Sequence, residues 1–64
     1  MQHDYAVDLL VDLREDVPTA LVTTHVEARD GYEAVAIARR QVERHHPQID
    51  LASIDTWFVP RRIG

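Results

Sequence analysis

The side chains with the widest chemical reach in this 64-residue chain are four histidines, at positions 3, 25, 45 and 46, and a scatter of carboxylates. Glu43 and His46 stand three apart, a helical spacing with which some carboxylate-bridged metal sites set two ligands on one face. There is no second ligand pair and no cysteine, so the spacing reads instead as ordinary helix surface, with His45 filling the end of an apolar stripe and His46 solvated beside the helix C-terminus. His25 falls on the solvent side of a strand, where a cross-strand carboxylate accounts for it, and His3 falls in a terminus expected to fray. No metal or cofactor site is expected. Catalysis by a nucleophile or an acid–base pair needs those groups held together in a concavity. Ser53 has no histidine placed beside it, and Asp8 and Asp12, two apart on a solvent-facing strand, read as solubilising. No residue is assigned a catalytic role, and the chain is expected not to be an enzyme.

Arginine offers a different chemistry. All seven basic side chains are arginine, and guanidinium groups match phosphate geometry well. Arg39, Arg40 and Arg44 share one exposed helix face, and Arg61 and Arg62 follow the aromatic pair Trp57-Phe58. These five residues define a nucleic-acid reading. Against it, Glu33 and Glu43 interrupt the helical cluster, Arg39 and Glu43 form an i, i+4 pair of opposite sign, and the net charge is −4. Nucleic-acid binding is thus the alternative to a protein-interaction role.

The elements that would position these groups can be read from periodicity. Residues 5–13 alternate, with Tyr5, Val7, Leu9, Val11 and Leu13 on one side and Ala6, Asp8, Leu10 and Asp12 on the other; a period of two marks a half-buried strand. Residues 14–18 break it with charge and Pro18, as a hairpin loop does. Residues 19–29 alternate again and are rich in β-branched side chains, with Ala20, Val22, Thr24, Val26 and Ala28 inward. At Asp30 the period lengthens. Asp30-Gly31-Tyr32-Glu33 has the form of a capping box, and over residues 31–46 Ala34, Val35, Ile37, Ala38 and Val42 form one apolar stripe. Pro47 ends the helix. In the last strand, residues 52–59, a frame with the odd positions inward would bury Asp55; the even frame buries Ala52, Ile54, Thr56 and Phe58 and is chosen for that reason. Ile49 and Leu51 would close the core below it.

The fold class that follows is α+β, ββαβ in chain order, a three-stranded antiparallel sheet of order 2-1-3 with one helix packed on one face, spanning residues 1–64 as a single domain. A helix crossover makes strands two and three parallel to each other, and the first strand fits between them as an antiparallel neighbour of both; direct pairing of strands two and three is the weaker alternative. In the hairpin, residues whose numbers sum to 33 are expected to pair, bringing Asp8 opposite His25 and Asp4 opposite Arg29, because a sum of 31 sets Asp4 against Glu27.

This arrangement leaves one sheet face uncovered, carrying Ala6, Leu10, Leu21, Trp57 and Val59, more apolar surface than solvent-facing strand positions usually show. Leu10, Leu21, Trp57 and Val59 are the expected partner-binding residues. A homodimer is the expected assembly, a different protein partner being the other possibility, and the edge of strand two gives a further route. The domain buries only roughly 60% of its unfolded surface at this length, and it has no disulfide to help, so self-association would add needed stability. No apolar run nears the roughly 20 residues of a membrane span, and Met1-Gln2-His3-Asp4 does not resemble a signal peptide, which points to a cytoplasmic location. Arginine without lysine suggests a GC-rich genome such as that of an actinobacterium or one of its phages, and an accessory or regulatory protein. The segment VEARDGYEA from Val26 to Ala34 is similar to the strand-to-helix junction of many small bacterial and phage proteins; it implies no particular family and no activity.

Overall fold

A computed structural model describes residues 1–12 and 17–64. Three strands and one helix appear in the expected order: β1 His3–Val11, β2 Thr19–Ala28, α1 Gly31–His45 and β3 Thr56–Arg62. The sheet has the order β2-β1-β3 with both ladders antiparallel, so the direct pairing of strands two and three does not occur. The expected inward Leu13 and the loop residues 14–16 lie outside the described residues.

The helix forms where the period changes. Asp30 caps it in an extended conformation, its Oδ1 accepting the Glu33 N–H at 2.9 Å. Glu33 reaches back one residue further than a capping box requires: its carboxylate accepts the Arg29 N–H at 3.1 Å and pairs with the Arg29 guanidinium at 3.0 Å. The last strand residue and first helical turn are thereby tied together. Ala34, Ala38 and Val42 are the buried residues of α1; two alanines on this line let the helix approach the strands closely, and Val7, Val26 and Ala28 meet them, with Tyr5, Val35, Ile37 and Phe58 packed around. The helix ends at the C-cap His46, whose N–H donates to the Val42 C=O at 2.7 Å.

The hairpin register differs from the expected one. Tyr5 stands opposite Val26 and Leu9 opposite Val22, a sum of 31, and beyond them a bulge leaves Leu21 without an opposite number and moves Ala20 opposite Leu10. Asp4 therefore does face Glu27. Both side chains are exposed, where like charges directly opposite cost only tenths of a kcal/mol to about one. The hydrogen bond between Thr23 and Asp8, which this register sets opposite each other, offsets that cost. Asp8 does not need His25 opposite it, because Arg61 reaches it from β3 at 2.8 Å while Thr23, its opposite residue on β2, donates from Oγ1 at 2.7 Å.

Strand three takes the even frame: Thr56 and Phe58 stand opposite Val11 and Leu9 on the helix side, Trp57 and Val59 opposite Leu10 and Asp8 on the other. It begins later than expected. Residues 50–55 fold into a turn in which Asp50 Oδ1 accepts the Ala52 N–H at 3.0 Å and Ser53 Oγ the Asp55 N–H at 3.2 Å. Ala52 and Ile54 are consequently outside the sheet and not buried, Ile54 being 97% exposed. Ile49 and Leu51 are half-buried at the junction. Among the described residues no helix is long and apolar enough to cross a membrane.

Candidate functional site

The helix occupies one face of the sheet, and the molecule measures only 15 Å along its thinnest axis. The other face is divided. At the end near the bulge lie Leu10, Leu21, Trp57 and Val59. Trp57 stands directly opposite Leu10 across the β1–β3 ladder, with Val59 two residues further along β3 on the same face. Trp57 is 38% and Leu21 47% exposed, while Leu10 and Val59 are half-buried. Three of the four expected partner-binding residues, Leu10, Trp57 and Val59, thus share a single face, and Leu21 is the exposed bulge residue beside them on β2. Ala6, expected to contribute to it, is buried, standing in the central strand between His25 and Arg61 of the two flanking strands.

The remainder of this face is polar. Arg61 Nε donates to Asp8 Oδ2 at 2.8 Å and its Nη2 to Oδ1 at 3.4 Å, and the Thr23 hydroxyl completes the set. The hydrogen bonds from Arg61 and Thr23 hold the Asp8 carboxyl below its ordinary value, helped by the positive charge of Arg61 and by His25 and opposed by partial burial. This carboxylate is held as an anion, Oδ1 accepting from Thr23 and Arg61 and Oδ2 from Arg61. It has the character of a structural ion pair across three strands.

The five arginines do not form one surface. Arg39, Arg40 and Arg44 are exposed on α1, on one side of the sheet, whereas Arg61 lies on the open face of the other side. Arg39 pairs with Glu43 at 3.4 Å, Arg61 is held by Asp8, and Arg62 Nε donates to the Gly64 C=O at 3.4 Å.

The histidines are brought closer together than the sequence suggested. His25, His45 and His46 all line an open groove of about 290 Å³ between the C-terminal end of α1 and β2. His45 is exposed and His46 half-buried, the reverse of the expected pair, because the chain turns inward at the C-cap. His3 opens β1 opposite Ala28 and does not fray. Among the described residues no group of three or more His, Asp or Glu side chains has the geometry to hold a metal ion. Ser53 Oγ accepts a backbone bond in its turn. A second concavity, about 500 Å³, lies at the start of α1 between Tyr32, Val35, Phe58 and Pro60. Its ring residue Tyr32 is 91% exposed, and its ionisable Asp30 is committed to capping. Sequence reasoning missed this groove, since it depends on Pro60 meeting the helix start, where a Cβ on Gly31 would come within 3.2 Å of the proline ring.

Comparison with protein-family models, with curated proteins and with solved structures gave no match. The feature of this chain that points outward most clearly is therefore the apolar end of the uncovered sheet face.

Proposed function

We propose that this chain is a small non-enzymatic interaction module that associates with a second copy of itself through the open sheet face. The observation that supports this is the grouping of Trp57 and Leu21, 38% and 47% exposed, around Leu10 and Val59. A tryptophan ringed by aliphatic side chains is a favoured anchor of a protein interface, and one self-complementary patch serves both subunits of a two-fold dimer. The Asp8–Arg61–Thr23 cluster then lies beside the apolar strip as a polar rim, which is the usual division of such surfaces.

Light scattering on the wild type and on Trp57→Asp tests the proposal. The expected result is a mass that is a multiple of 7.4 kDa for the wild type and half as large for the variant. A wild-type monomer at high micromolar concentration, or a mass indifferent to the substitution, overturns it. Submicromolar binding of random duplex that weakens steeply with salt and disappears on replacing Arg39, Arg40 and Arg44 would replace it with the nucleic-acid alternative.

A further inference from the structure

The outer edge of β2 carries backbone groups that turn away from the rest of the sheet. In an antiparallel ladder the residues that bond to one neighbour alternate with those that face the opposite side. The Asp4 C=O accepts the Ile63 N–H at 2.9 Å, and the Asp12 N–H donates to the Asp55 C=O at 2.8 Å, so even-numbered residues of β1 bond to β3 and odd-numbered ones to β2. Carried through the register, Val22, Thr24, Val26 and Ala28 bond to β1, and Thr23, His25 and Glu27 direct both N–H and C=O outward. The same parity on β3 turns Phe58, Pro60 and Arg62 outward. Pro60 has no N–H, so that edge lacks a donor at its middle, whereas β2 has no proline between Thr19 and Ala28.

We propose that two copies of this chain pair edge to edge along β2, antiparallel about a two-fold axis at Val26, with each His25 opposite the partner copy's Glu27, to make one continuous sheet. Charge selects both the occupant and the register. Glu27 faces Asp4 on its inner flank and has no cationic partner among the described residues; in this pairing each Glu27 gains a histidine on its free flank, and two-fold symmetry supplies the contact twice. Centring the axis on His25 would set the two histidines against each other and leave Glu27 opposite Thr23. The chain leaves the sheet after Ala28 to begin α1, so the pairing runs over Thr24–Ala28, an ordinary strand length. One open edge and one interrupted edge close as a dimer; two open edges would propagate into a filament. This surface is separate from the apolar end of the open face and does not depend on it.

The test uses the Trp57→Asp chain, in which the face contact is removed. Sedimentation velocity at high micromolar concentration is expected to show a dimer, and residue-resolved hydrogen exchange to show His25 and Glu27 amides that slow as concentration rises. His25→Pro places a proline at the same outward parity as Pro60, removes no bond to β1, and is expected to give a monomer. His25→Glu should weaken the dimer at least tenfold, and adding Glu27→His should restore it. If Trp57→Asp is monomeric at every concentration, or is a dimer whose His25 and Glu27 amides exchange as free ones, the edge pairing is wrong. The exchange measurement decides alone if the proline variant does not fold. Failure of the open-face reading looks different: Trp57→Asp would then have the same mass as the wild type.

Discussion

Leu9 and Leu10 are the same side chain one residue apart in the central strand, and they answer to different solvents. Leu9 is buried under the helix with Phe58 opposite it; Leu10 is half-buried on the open face with Trp57 opposite it. On the covered face the fold makes every contact a leucine can use. On the open face the chain supplies one flank of the contact and leaves the other exposed. The contrast gives four expected outcomes. Leu9→Ala should destabilise the isolated chain by about 2–5 kcal/mol, enough to unfold much of a domain this small at ambient temperature, as seen by thermal melts followed by circular dichroism. Leu10→Ala should cost well under half of that in the monomer and show itself in the association constant; equal losses in the two monomers would erase the distinction between the faces.

Smaller changes sharpen the comparison. Asp30→Ala removes the cap that starts the helix on the covered side and should cost about 1 kcal/mol. Asp8→Asn cuts the ion pair that ties the three strands on the open side and should cost up to about 1 kcal/mol at neutral pH, Arg61 being largely exposed and the pair screened. Its signature is in the pH dependence. The Asp8 carboxyl is held below its ordinary value of 3.8 by the Arg61 and Thr23 hydrogen bonds, so its contribution is complete above that value and is lost as the pH falls through the lower folded one. Wild type should lose stability on that acid limb, and Asp8→Asn should lose less. An acid limb of unchanged slope in the variant would show that Asp8 is not the group responsible.

How much of this was legible in the sequence depended on how local the cause was. The helix and both its ends follow from residues within a turn of one another: Asp30 with Glu33, then Pro47. The strand order follows from the crossover connection, and the even frame of β3 holds through Thr56 and Phe58, although Asp55, whose burial argued for it, lies in the turn before the strand. The hairpin register was not legible from the hairpin, because the decisive partner of Asp8 is Arg61, 53 residues away on a strand the two-strand comparison left out. The late start of β3 was hidden for another reason: Asp50 and Ser53 bond to backbone groups two residues on, and those turns outcompete the extension that the apolar Ile54 suggested. On the open face, alternation was sufficient to gather Leu10, Trp57 and Val59, it is interrupted by the bulge at Leu21, and it did not foresee that Ala6 is buried.

The bulge at Leu21 has a consequence for how this strand tolerates changes in length. Leu9 pairs with Val22 and Leu10 with Ala20, so β2 is one residue longer than the stretch of β1 it matches. Losing the codon for Leu21 would leave each of those pairs in place and convert the ladder to a regular one, while the same deletion a few positions later would turn the residues between it and the bulge to the other side of the sheet. Leu21 is thus surplus length, a residue the pairing could spare whose side chain is largely exposed.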